Sequence, residues 1–394
     1  MDREDSKTIA PSSGSNLLNR AAGRLKRDAN RWRKKLTGIT PTIDVHHLDI
    51  GRLHRLRDAE TNEVRRPPVL SDDQWRVFQT GFQPITPPSY ALELNNAYVV
   101  EEDSWILTAD GRAILGMWSQ QGATSDQQRI AAFDRIGPAR LAGAQRLDGT
   151  TLVLNQVVAG NFFHFVNQII PRLKLASEII ALEEIDHFVT PPNTTGFMRD
   201  WLSHAGIHSD RIVAMQPSGL VCERLIATNN PGPFNIAPKW ACDYLRDLVP
   251  VDTPPDAPRR IFVSRVDAPK RRLLNHQQVE TELAKHGFEH VLMSGRSAAE
   301  QASLFHNAEI IVGVHGAALA HLVFCRPGTK VIELLPNNHL QPCFWTTGQT
   351  CALDYEILVG TEKPLSMVKW RRDVGADLTI DIDALISSVS ALTA

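Results

Sequence analysis

The sequence predicts an α/β protein whose C-terminal half is built on a parallel, Rossmann-like sheet. Three observations lead there. An apolar run, Glu309 to Val314, passes directly into His315-Gly316-Ala317-Ala318, a turn of small residues that opens a short helix. Phe324-Cys325-Arg326-Pro327-Gly328 closes that helix, and a second apolar run, Lys330 to Leu335, follows it. Upstream, runs of strand and helix character alternate at a spacing that suits parallel strands joined by right-handed crossovers.

From the N-terminus, residues 1–15 are polar and Ser-rich, the composition of a disordered tail. In the next segment Leu18, Ala22, Leu25, Ala29, Trp32 and Leu36 recur at helical spacing. The other faces carry eight Lys and Arg (Arg20, Arg24, Lys26, Arg27, Arg31, Arg33, Lys34, Lys35) against Asp28. A basic amphipathic helix over 16–36 suits an anionic membrane surface, or equally a neighbouring domain or subunit with the basic face solvated. The globular part begins near residue 41. Ala91–Val100 and Trp105–Leu115 read as β-rich, the second run broken by Ala109-Asp110-Gly111, a hairpin turn signal. Thr151–Leu154 reads as a strand and Phe162–Leu182 as one helix.

The segments Asn229–Pro233 and Pro250–Pro258, the latter with four prolines, interrupt the pattern. At 394 residues two domains are expected, here 41–235 and 236–394, with the last helix free to pack back on the first domain. Beyond the break, Ile261–Ser264 reads as a strand, Gln277–Lys285 as a helix, His290–Met293 as a strand and Ala298–Asn307 as a helix. Asp381-Ile382-Asp383 precedes a helical pattern and suits a helix start better than a metal site.

Composition narrows the function. Hydrophobic residues at 43% and charged ones at 22% are ordinary for a soluble globular chain. A formal charge of −2 argues against coating nucleic acid. The five cysteines include no Cys-x-x-Cys pair, which points to a reducing compartment without a disulfide framework or zinc site. With a polar, acidic start and no apolar run long enough to span a bilayer, a cytoplasmic protein is expected, peripheral on the membrane if 16–36 binds lipid.

Three clusters carry candidate chemistry. Ser264-Arg265 ends a strand, and Lys270-Arg271-Arg272 and Asn275 follow closely. Guanidinium groups at a strand end suit phosphate oxygens, although a solvated basic loop has the same composition. The His315-Gly316-Ala317-Ala318 turn offers helix N–H groups to a phosphate, with Glu333 at the next strand end for ribose hydroxyls. Such a turn also serves close packing alone. Asn161-Phe162-Phe163-His164-Phe165, followed by Pro171-Arg172, sets a histidine among aromatics. It is a general base by its intrinsic pKa, or a core residue. The first two clusters together read as a nucleotide-diphosphate pocket.

In order, Arg260–Arg265, Arg271-Arg272, Asn275, Glu300-Gln301, Phe305, Val312–Leu319, Phe324, Pro327-Gly328, Val331–Glu333 and Pro336 resemble the signature of glycosyltransferase family 61. Asn161-x-x-His164-Phe165 and Pro171-Arg172 are similar to that family's upstream motif, and the resemblance spans roughly 85–340. It implies a GT-B fold, two Rossmann-like domains facing each other across a cleft. It also implies inverting transfer from a nucleotide sugar, UDP-linked by expectation, to a glycan or glycolipid hydroxyl in surface polysaccharide synthesis, with no cofactor and no essential metal. Carried across, Arg265 and Arg271 meet the diphosphate while Asn275 holds their loop. His315, Gly316, Ala317 and Ala318 form the donor turn, and Glu333 meets the ribose. His164 is the base, Arg265 assists the leaving group, and Asn161 and Arg172 face the acceptor. This chain departs from the family at Ala318 (commonly Gly), Ala320-His321 (Thr-Asn), Phe165 (Trp) and Gln168 (an acid). A pyruvyl- or other group-transferase, or a non-catalytic nucleotide-sugar binder, are the alternatives.

Overall fold

The computed structural model describes residues 42–100, 104–117, 141–156, 158–233, 235–361, 375 and 377–393. The polar tail and the basic segment 16–36 lie outside the described residues. Among the described residues no helix is long and apolar enough to cross a membrane.

The first sheet is mixed. Its strands are β1 (Thr42–Asp44), β2 (Arg52–Arg57), β5 (Ser89–Val100), β6 (Trp105–Leu107), β7 (Ala113–Leu115), β8 (Gln145–Val153), β9 (His187–Thr190), β10 (Ile212–Ala214) and β11 (Leu220–Thr228). Two short strands, β3 (Glu60–Thr61) and β4 (Ile85–Thr86), pair separately. The order is β1-β7-β6-β5-β11-β8-β9-β10, with β2 on β5. The strands β11-β8-β9-β10 form a parallel block, β1 also pairs in parallel with β7, and β5 runs antiparallel to β11 and β6. The Rossmann-like part of the first half is therefore narrower than expected, confined to the block β11-β8-β9-β10, while β5, β6 and β7 add antiparallel pairs joined by tight turns rather than helical crossovers. One of these is the expected hairpin, where Gly111 takes φ +85° and its N–H reaches Thr108 O at 2.8 Å.

The second sheet is entirely parallel: β12 (Arg260–Val263), β13 (Glu289–Val291), β14 (Ile310–Val314), β15 (Lys330–Pro336) and β16 (Asp354–Gly360). Its order, β13-β12-β14-β15-β16, reverses direction between β12 and β14. In doubly wound sheets the crevice at the carboxyl end of such a reversal is where ligands bind. The three inner strands, β12, β14 and β15, are almost wholly buried, as covering on both faces requires.

One apolar core lies between the sheets. It takes Leu152 and Ile226 from the first, Ile261, Val263 and Ile311 from the second, and Phe165, Ile169, Leu173, Leu319, Leu322 and Phe324 from the segments between. The last helix, Ile382–Thr393, does not pack back on the first sheet. Leu385 and Val389 join Val279 and Leu283 on the outer face of the second, because Leu378 and Ile380 carry the chain there first.

The single helix expected over 162–182 is also corrected. Residues Phe162–His164 are α-helical, Phe165–Ile169 form a π-helical turn, and Pro171–Ser177 resume as α-helix. Pro171 has no N–H and its ring crowds the carbonyl four residues back, so the ladder must adjust. It does so by reaching one residue further: Ile170 N–H bonds Phe165 O at 3.0 Å.

Candidate functional site

The crevice at the β12/β14 reversal encloses about 600 Å³. Arg265 and Ser294 to Ser297 line it from the loops after β12 and β13, Ala317 and Ala318 from the turn after β14, and Phe162, Phe197 and Asp200 from the first-sheet side. The sequence pointed to Arg265, Ala317 and Ala318. Phe162 belongs to the aromatic cluster around His164, whereas Phe197, Asp200 and Ser294–Ser297 carry no comparable signal, because they reach the crevice only through the tertiary fold. Ser297 is also the cap of the helix Ala298–Asn307, in a reciprocal capping box with Glu300.

Arg265 leaves the end of β12 and lies against Gly316. The glycine is extended, with φ 176°, a conformation open to any residue, so its requirement is steric. A Cβ there would lie 2.6 Å from Arg265 Cζ. Arg265 donates to Lys270 O at 3.3 Å, while its Nε is buried with no protein acceptor. Burial, and then repulsion from Arg271, hold this guanidinium down at about 10, with Asp267 opposing. Asp267 in turn accepts from the Ser294 hydroxyl. Burial lowers Arg271 too, and Arg271 sits at φ +53° in the left-handed region, strain of the kind that collects at binding sites.

The loop carrying both arginines is anchored from behind. Arg272 forks onto Asp377 at 2.6 and 3.0 Å. Leu274 N–H bonds Leu378 O at 2.8 Å. The Asn275 amide donates to Ile380 O at 2.8 Å and accepts from Ile380 N–H at 3.1 Å. Asn275 is thus a clamp for the loop, its amide committed to backbone on both sides, rather than a donor contact.

Glu333 is the clearest correction. It is fully buried, and each oxygen is engaged: Oε1 shares a 2.5 Å hydrogen bond with His315 Nδ1, and Oε2 accepts from the Tyr355 hydroxyl at 3.0 Å. A carboxylate so enclosed orients His315 instead of meeting a ribose. Burial pushes Glu333 up to about 8, with the Tyr355 hydroxyl pulling it down. Burial and the charges of Arg271 and Arg265 drive His315 far below its ordinary value. The cations beside it disfavour the imidazolium form, so His315 stays neutral against Glu333. Tyr355, on β16, was missed because nothing local in the sequence marks a tyrosine aimed at the neighbouring strand.

On the opposite side, Asn161 caps the Phe162 turn by accepting from Phe163 N–H at 2.9 Å, which corrects its expected role toward an acceptor. Arg172 is also corrected. It is fully buried and donates to Gln156 and Asn230, so it braces the π-turn region from inside. His164 is buried, and its Nδ1–H donates to Gln168 Oε1 at 3.1 Å. Gln168 Oε1 also accepts from Gln156 Nε2 at 2.8 Å. That amide oxygen fixes the tautomer and leaves the basic lone pair on Nε2. Burial brings His164 down to about 4, against the Gln168 hydrogen bond. Aromatic contacts span the two sides: Phe163 meets His164 at 5.1 Å and Phe344 at 5.4 Å, and Phe344 meets His315 at 5.0 Å.

Two comparisons bear on this arrangement. Residues 162–332 match the family model described as Glycosyltransferase 61, a span running from the Phe162 wall of the crevice into β15. A 67-residue stretch is 31% identical to Beta-1,2-xylosyltransferase RCN11 of Oryza sativa subsp. japonica, covering 17% of this chain and 13% of that protein's length. The resemblance drawn from the sequence motifs therefore holds for the segment that builds the crevice.

Proposed function

Taking residues 162–332 as a glycosyltransferase 61 segment, we propose that the protein is an inverting glycosyltransferase with a GT-B arrangement, using a nucleotide sugar without an essential metal. The observation that carries the proposal is the pair of half-buried guanidiniums, Arg265 and Arg271, repelling one another where the second sheet reverses. The desolvated Arg265 guanidinium, repelled by Arg271 and with no protein acceptor for Nε, is unfavourable at the crevice until an anion joins it. A diphosphate supplies that anion, and the first N–H groups of the helix after Gly316 add to its stabilisation. The core shared by two α/β sheets, with a crevice lined from both sides, supports the GT-B reading.

In this mechanism the acceptor hydroxyl attacks the anomeric carbon from the face opposite the diphosphate. The bond to the diphosphate oxygen breaks, and the configuration inverts. Arg265 and Arg271 stabilise the charge building on the leaving group, the task a metal performs elsewhere. His315, held neutral by burial and by the charges of Arg271 and Arg265, adds no third positive charge beside them. His164 Nε2 takes the acceptor proton. The basic pattern of 16–36 supports a lipid-linked or surface-polysaccharide acceptor, met at the cytoplasmic face of a membrane.

The test is turnover of a panel of UDP-, GDP- and ADP-linked sugars in excess EDTA. Transfer or donor hydrolysis at the rate seen without chelator is expected. Complete loss with rescue by Mn²⁺ would overturn the metal-independent mechanism.

A further inference from the structure

His321 lies one turn into the helix Ala317–Phe324 and forms part of the crevice wall. Its Nδ1–H donates to Ala318 O at 2.9 Å, which leaves Nε2 as an acceptor. That Nε2 is buried with no protein partner, although the residue is wholly enclosed. Phe162 at 5.1 Å and Phe305 at 5.5 Å surround the imidazole, with Phe324 and Trp201 further out at 6.1 and 6.4 Å. A buried acceptor without a partner is unfavourable, and apolar rings offer it none. Its position in the wall, beyond the turn at Ala317 and Ala318, turns attention to the ligand.

We propose that His321 Nε2 accepts a hydrogen bond from an uncharged N–H or O–H donor of the bound nucleotide sugar, and so selects among donors. The proposal rests on the nucleotide-sugar reading above. The aromatic surroundings exclude a second phosphate here, since His321 stays neutral, its pKa lowered by burial to about 4. They suit a ring, stacked against Phe162 and Phe197, that presents one polar edge. Two groups fit that chemistry: a nucleobase N–H and a sugar hydroxyl. Trp201 Nε1 is also buried without a protein partner, so a single enclosed water bonding both rings is the competing arrangement.

The test is calorimetric titration of the full chain with UDP and with UDP-xylose, UDP-glucose and UDP-N-acetylglucosamine. The variants are His321→Phe, which keeps a ring but removes the acceptor, and His321→Gln, which keeps an acceptor. His321→Phe is expected to weaken the best-bound nucleotide sugar about tenfold, with His321→Gln in between. An equal loss for UDP alone assigns the contact to the base. A loss confined to the nucleotide sugar assigns it to a sugar hydroxyl. Wild-type affinity in both His321 variants, with binding still weakened in Arg265→Ala/Arg271→Ala, would overturn the role of His321 and leave the site reading standing. If the wild-type chain bound none of these probes, both readings would fall. Thermal unfolding of each variant separates lost contact from lost fold.

Discussion

Arg265→Ala is expected to lower kcat/KM about 10²–10³-fold while leaving the melting temperature nearly unchanged. The guanidinium is desolvated, lacks a protein acceptor for Nε and is repelled by Arg271, so the folded chain gains little from it. Its value lies in the transition state, where charge collects on the leaving diphosphate. Arg265→Lys is expected to recover part of the loss, because an ammonium neutralises charge but cannot fork onto two oxygens. Gly316→Ala should approach the same defect from the other side. The added methyl cannot share space with Arg265, whose flexible side chain swings away while the backbone stays put. The two substitutions are therefore expected to be strongly non-additive: Arg265→Ala with Gly316→Ala should be barely worse than Arg265→Ala alone. Additive losses would mean that Gly316 acts through something other than the arginine.

His164→Ala is expected to reduce kcat about 10²–10⁴-fold with donor affinity changed only a few-fold. Its imidazole is held by Gln168, which Gln156 holds in turn. Unchanged turnover would remove His164 from the mechanism. The pH dependence is a second readout. Burial lowers His164 from 6.5 to about 4, so it remains an unprotonated base through neutral and mildly acidic solution. The acid limb of kcat/KM is expected near pH 4, and a limb near 6.5 would place a different group there. Stability should follow the same sign. The unfolded chain binds protons at His164 and His321 that the folded chain refuses, so their stabilisation is complete above about 6.5 and drains as pH falls toward 4.

The parts legible in the sequence were those governed by local rules. Strand β14, the small-residue turn and β15 follow one another within 27 residues, and the Asp110-Gly111 hairpin declares itself by turn chemistry. The helix Ala298–Asn307 was read to the residue. Strands β9 and β10 were not, since three or four residues show no reliable alternation. The same boundary runs through the site. Arg265, Ala317 and Ala318 sit at element ends, where chemistry and position coincide. Glu333, Arg172 and Asn161 were assigned outward roles because a polar residue at a strand end or helix start has no visible partner in sequence. Those partners, Tyr355, Gln156, Asn230 and a capped backbone N–H, are mostly supplied by segments brought in through folding. His321 stood out only as a departure from the family pattern, and its orphaned nitrogen is a fact of packing.

The most direct test of the account is calorimetric titration of UDP, GDP and ADP in EDTA into the wild-type chain and into the Arg265→Ala/Arg271→Ala variant. The wild-type chain is expected to bind at least one of them without metal. The variant should retain its melting temperature and lose at least tenfold in affinity. Binding that appears only when Mn²⁺ is added, or an unaltered affinity in the variant, would contradict it.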